Sequence, residues 1–141
     1  MTDSNILLVR NSWNYLANNT ENAGEYFYQK LFEIAPSVRP LFKQDINDQA
    51  RKLVTMLSYV ISKLNSLDEI EGQIKGLAQR HVQYGAQPEH YQAVGQALIM
   101  MLENKLGNQW NEPVKEAWIE VFTVLSGAMI GATTTTVAAA Q

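Results

Sequence analysis

The sequence predicts an all-α fold of about seven helices, and three observations carry that prediction. Apolar residues recur at three- and four-residue intervals along most of the chain, which is the repeat of one helix face. Breakers stand where those runs stop: Pro36, Gly85 with Pro88, and Gly107. No five-residue stretch alternates apolar and polar residues as a strand would.

Each element follows from its own pattern. Ile6, Val9, Trp13 and Leu16 form the stripe of a first helix, which Asn18-Asn19-Thr20 interrupts. A second helix carries Tyr28, Leu31, Phe32 and Ala35. It ends at Pro36, which donates no backbone hydrogen bond and keeps its predecessor out of the helical region. Pro36 and Pro40 suit the first turns of short helical pieces that lead to Leu41 and Phe42. The polar run Gln44–Asp48 comes next, with Asn47 or Asp48 as expected cap of a helix bearing Leu53, Met56, Leu57, Val60, Ile61 and Leu64. Ser66-Leu67-Asp68-Glu69 is a capping-box pattern, and it opens a helix with Ile70, Ile74, Leu77 and His81 on one side. Gly85 and Pro88 bracket its end. Tyr91, Val94, Leu98, Met101 and Leu102 mark another helix, stopping near Gly107-Asn108. The last begins after Asn111 and carries Val114, Trp118, Val121, Phe122, Leu125 and Met129. One domain is expected over 1–132. Residues 133–141, four threonines and then an alanine-rich end, are expected to form a frayed tail of low complexity.

Composition removes several classes of function. The chain has 141 residues, the length of one ordinary domain, with 46% apolar and 18% charged residues. It has no cysteine, so disulfides, thiolate metal sites, iron–sulfur clusters and cysteine nucleophiles are excluded. A net charge of −3 offers no basic field for nucleic acid or anionic lipid. No apolar run approaches the roughly 20 residues of a membrane helix. The N-terminus opens on polar Thr2, Asp3, Ser4 and Asn5, and a cytoplasmic setting is the expectation.

Two histidines bound the metal chemistry. His81 and His90 are nine residues apart with Gly85 and Pro88 between them, so they do not share a helix face. Protein-only zinc sites need three or four ligands. One histidine suffices when a porphyrin supplies four nitrogens. His81 lies on an apolar stripe, whereas His90 stands beside Glu89 at a helix start. A metal-binding His81 needs an acceptor for its Nδ1–H, and the Leu77 carbonyl one turn earlier is the nearest candidate. No nucleophile elbow or phosphate-binding glycine loop is present, and no catalytic residue is assigned. Met100-Met101 reads as core.

Four segments, taken in order, resemble the globin family, most of all the bacterial single-domain haemoglobins and the haem domain of flavohaemoglobins. They are Phe27–Phe32, Pro36–Phe42, Gln49–Leu53, and Ala78-Gln79-Arg80-His81 closed by Pro88-Glu89-His90-Tyr91; the resemblance covers roughly 5–130. It implies the globin fold around a pocket for haem b, with His81 as proximal iron ligand and Phe42 packed flat on the porphyrin. Tyr28 matches the distal tyrosine of this branch and Gln49 the distal position facing bound gas. Leu53, Val94 and Leu98 would wall the pocket, and Lys52 and Arg80 would meet the propionates. The function implied is reversible binding of oxygen or another diatomic gas. Bound oxygen carries partial negative charge, which a Tyr28 hydroxyl and a Gln49 amide could stabilise. The same pocket would also permit nitric oxide dioxygenation. The chain stops where flavohaemoglobins continue into flavin and nicotinamide domains, so turnover would need a separate reductase. A haem-free sensor or adaptor is the remaining alternative, against which His81 and Phe42 both speak. One departure is that Thr133 stands near the position where flavohaemoglobins carry a glutamate beside the proximal histidine, although Tyr91, the other partner, is present.

Overall fold

The computed structural model describes residues 1–19, 22–42, 45–83 and 90–140. Six α-helices run through them: α1 (Asp3–Asn19), α2 (Ala23–Ile34), α3 (Ile46–Ser62), α4 (Glu71–Gln83), α5 (His90–Leu106) and α6 (Glu112–Ala140). Tighter 3-10 segments fill Pro36–Leu41, Leu64–Ile70 and Gly107–Gln109, and no strand occurs among the described residues. The all-α expectation holds. Gly85 and Pro88, read as the end of α4, lie outside the described residues.

Three boundaries differ from the sequence reading, each for a local reason. The cap of α3 is Asp45, not Asn47 or Asp48: its carboxylate accepts from the Asn47 backbone N–H at 2.7 Å. Asn47 and Asp48 therefore belong to the first turn, where Asp48 also suits the positive end of the helix dipole. The capping-box residues 66–69 sit in the 3-10 segment, with Ser66 itself non-helical (φ −144°), and α4 proper begins at Glu71. The backbone of α6 stays helical to Ala140, past the boundary set at 132. No proline or glycine follows Gly131, and alanine favours helix most of all residues.

The helices pack around one large core. α2 lies against α3 and α5, α1 against α6, and α4 against α6. Val9, Trp13, Phe27, Leu31, Met101, Leu102 and Trp118 are among its buried members. Ile70, Ile74, Ala78 and Met129 form a separate, smaller cluster that ties α4 to α6. The buried tryptophans find acceptors. The Trp118 indole donates to Ser12 Oγ at 2.8 Å, and the Trp13 indole to Ser58 Oγ at 2.9 Å. Arg10 on α1 reaches the end of α3, donating to the carbonyls of Ile61 (3.2 Å) and Ser62 (3.1 Å) and to Asn65 Oδ1 (3.1 Å). Unpaired carbonyls of a helix end are satisfied in this way.

Among the described residues Ser12 is the one polar side chain of its kind buried in the core, and it closes a bond across 106 positions of sequence. Ser12→Ala would bury the Trp118 N–H with no acceptor. The expected cost is about 1–3 kcal/mol. Urea unfolding would show it as a lower midpoint at unchanged slope.

Candidate functional site

α3 and α4 meet only sparsely, because each is held by other helices. A cleft of about 230 Å³ lies between them, with Met56, Tyr59 and Val60 on one wall and Ile74, Leu77 and Arg80 on the other. Met56 and Tyr59 also border a more open cleft of about 490 Å³, completed by Asp48, Arg51, Lys52 and Thr55. The smaller cleft is lined mainly by apolar side chains and the larger by charged ones of both signs; Lys52 and Arg80, which border them, are exposed.

His81 stands on α4, half-buried, one turn beyond Leu77. Its Nδ1 lies 2.8 Å from the Leu77 carbonyl oxygen. A carbonyl oxygen only accepts, so Nδ1 carries the hydrogen. In the neutral ring this leaves the lone pair on Nε2, the tautomer a metal ligand needs. Among the described residues, no three His, Asp or Glu side chains converge to hold a metal ion. A metal at His81 would therefore need its other donors from a prosthetic group.

A second group forms where α2 meets α3 and the Pro36–Leu41 turn. Tyr28 is buried, 4% exposed, and the Gln49 side chain is near enough to act on its phenol. Burial pushes the phenol above its usual range; Gln49 works in the opposite direction and is the smaller effect. Phe42 meets Tyr28 edge to face, with centroids 5.3 Å apart at 71°, and Phe32 at 5.5 Å and 65°. Arg39 fixes this corner. It donates to the Phe42 carbonyl at 3.2 Å and lies 5.1 Å from the Phe32 ring centroid. Tyr28, Gln49 and Phe42 are thus brought together. Leu53 and Val94 are half-buried against the main core, and Leu98 is buried within it. Tyr91 packs on the smaller cluster beside Leu77, and burial raises its phenol. His90, half-buried, opens α5.

Neither His81 nor Phe42 itself lines the clefts; Leu77, Arg80, Lys52 and Met56 do. Met56 and Tyr59 were not among the expected site residues. Met56 carried a signal, since it shares a stripe with Leu53 three residues before it. Tyr59 carried none, being exposed and off that stripe. Arg39 was likewise missed, because its part depends on where Phe32 and Phe42 meet in space.

The globin family model matches residues 25–129. The chain is a globin. It is 26% identical to neuroglobin-2 of Oncorhynchus mykiss over 92% of this chain and 90% of that protein. It is 23% identical to a flavohemoprotein of Vibrio cholerae over 92% of this chain but 34% of that longer protein. A bacterial globin from Campylobacter jejuni superposes with a TM-score of 0.82 at 23% identity, over 95% of this chain and 97% of that one. A second structure superposes at 0.86 and 22% identity, over 100% of this chain and 99% of that one. It is an engineered carbene transferase made from a candidate nitric oxide dioxygenase of Rhodothermus marinus. These two share the fold. No helix of this globin, among the described residues, is long and apolar enough to cross a membrane.

Proposed function

We propose that this globin takes up haem b through His81 and uses it to hold oxygen reversibly in the cytoplasm. The observation that carries the reading is the His81 ring, fixed in one tautomer by the Leu77 carbonyl on the helix that walls the cleft. Globins bind haem, and the residues here fit that group: a mainly apolar cleft, a histidine on its wall helix, and Lys52 and Arg80 among the residues that border the two clefts.

A haem supplies an iron that, while ferrous, binds a diatomic gas reversibly. The chain supplies everything else. His81 would be the one protein ligand, its ring orientation held from behind by Leu77. Phe42, Leu53, Val94 and Leu98 would cover the porphyrin and keep water out. Lys52 and Arg80 would face the propionates. Tyr28 and Gln49 would offer an O–H and an N–H to the polarised gas. A hydrogen bond to a charged acceptor contributes about 1.5–3 kcal/mol, and carbon monoxide, which carries less charge, would gain less from these donors than oxygen.

Titration of the full chain with haem under reducing conditions tests this. One equivalent should bind with an intense Soret band that shifts with oxygen and returns on its removal. Weak, non-stoichiometric uptake would overturn the reading. The likeness to the Vibrio cholerae flavohemoprotein favours a second reading, nitric oxide dioxygenation with electrons from a separate reductase. Rapid addition of nitric oxide to the oxygen-loaded sample separates the two by whether nitrate forms in a fast phase.

A further inference from the structure

We propose that Arg10 is a positioning residue for the cleft between α3 and α4: from α1 it holds the corner out of which both walls of that cleft rise, and so governs how firmly the prosthetic group is kept. The functional half of this rests on the haem-binding reading above; the corner itself does not.

The last four carbonyls of a helix find no partner inside it. At the end of α3 two of them are met locally. Ser62 Oγ donates to the Tyr59 carbonyl at 2.6 Å, and the Lys63 N–H to that of Val60 at 2.9 Å. The other two belong to Ile61 and Ser62, and Arg10 meets both, through Nε at 3.2 Å and Nη2 at 3.1 Å. Nη2 also donates to Asn65 Oδ1 at 3.1 Å, inside the 3-10 segment that follows. One guanidinium thus ties two successive elements together, with its charge at the negative end of the α3 dipole. Its rigid fork serves three acceptors as a lone ammonium does not. The base of the side chain is itself fixed. Val9 beside it is fully buried, and Ser12 and Trp13 just beyond it bond Trp118 and Ser58. The cleft begins at this corner. Val60, shortly before it, lines one wall; Ile70, closing the 3-10 segment, and Ile74 on α4 line the other. A slack corner would let the walls splay where a flat group is gripped. Tyr28 and Gln49 lie far from it: Gln49 precedes Ile61 by twelve residues, roughly 18 Å along α3.

The experiment compares the parent, Arg10→Met, Arg10→Lys and Ser12→Ala, all as full-length haem-loaded protein. Haem release is followed by capture on excess apomyoglobin. Arg10→Met should release haem about tenfold faster, the loss of roughly one charge-assisted hydrogen bond, while oxygen dissociation stays within about twofold. Arg10→Lys keeps the charge without the fork and should recover part of the difference. Ser12→Ala controls for lost stability. It weakens the core two residues along α1, on another face, and should release haem at the parent's rate. Unchanged haem release in Arg10→Met, equal acceleration of haem and oxygen release, or the same acceleration in Ser12→Ala overturns the proposal. A readout without haem accompanies it. The Lys63 and Ser66 amides, bonded at 2.9 Å to the Val60 and Lys63 carbonyls, should exchange hydrogen faster in Arg10→Met. Unchanged exchange refutes the corner, whatever the protein does with haem. If haem fails to bind the parent while exchange quickens, the haem reading falls and the positioning of the corner stands. Should Arg10→Met not fold, Asn65→Ala removes one acceptor of the same guanidinium. It should quicken exchange at the same amides, and unchanged exchange there would overturn the proposal equally.

Discussion

Replacing His81 with alanine is expected to abolish stoichiometric haem binding while the helices stay formed. The ring is half-buried near the end of α4, and its Nδ1 hydrogen bond stays within its own helix, to the Leu77 carbonyl. Haem would lose the protein donor that this reading gives it, and among the described residues no group of three His, Asp or Glu side chains converges elsewhere to hold a metal. The Soret band should vanish and far-ultraviolet circular dichroism should not. Added imidazole should restore the band in part, since it returns the donor but not its tether. A variant that kept the parent's spectrum would show that another residue holds the iron, and the functional reading would fail with it.

Tyr28→Phe is expected to raise the oxygen dissociation rate about 10- to 100-fold, the worth of one hydrogen bond to a charged acceptor. The substitution isolates the hydroxyl. The ring keeps its edge-to-face partners Phe27 (5.0 Å, 81°) and Phe42 (5.3 Å, 71°), so the pocket retains its shape. Carbon monoxide release should change far less. Stopped-flow measurement with both gases checks the contrast. A change below about twofold, or ~0.4 kcal/mol, would leave Tyr28 no role with oxygen. The raised phenol matters here, because burial keeps the O–H protonated and available as a donor throughout the neutral range. The sign of the pH effect follows. Ionisation occurs at higher pH in the folded protein than in the unfolded chain, at 10.0, so this group's contribution to stability is complete below pH 10.0 and is lost as pH rises through the folded value.

The residues reveal some of this in advance and hide the rest for physical reasons. The His81–Leu77 contact is local, one helical turn, so spacing alone points to it. The helices are equally legible, because their buried stripes repeat within the element itself. The cap of α3 is less so: Asp45, Asn47 and Asp48 all have capping side chains, and backbone dihedrals, not composition, decide for Asp45. Tyr28 and Gln49 come from two helices whose crossing angle no periodicity specifies. Gly24 shows the same limit. As a letter it is one of 8 glycines; only the approach of Ala50 distinguishes it from Gly72 or Gly127, where a side chain would meet nothing.

The small cluster of Ile70, Ile74, Ala78 and Met129 is separate from the main core, and it lies where α4 packs on α6. The globin therefore has two tiers of cohesion. Five helices meet in the core around the tryptophans, while the histidine-bearing helix is docked on α6 through its own smaller cluster. A porphyrin wedged against that helix would act as its mortar, so loading the cofactor would complete the architecture as well as arm it.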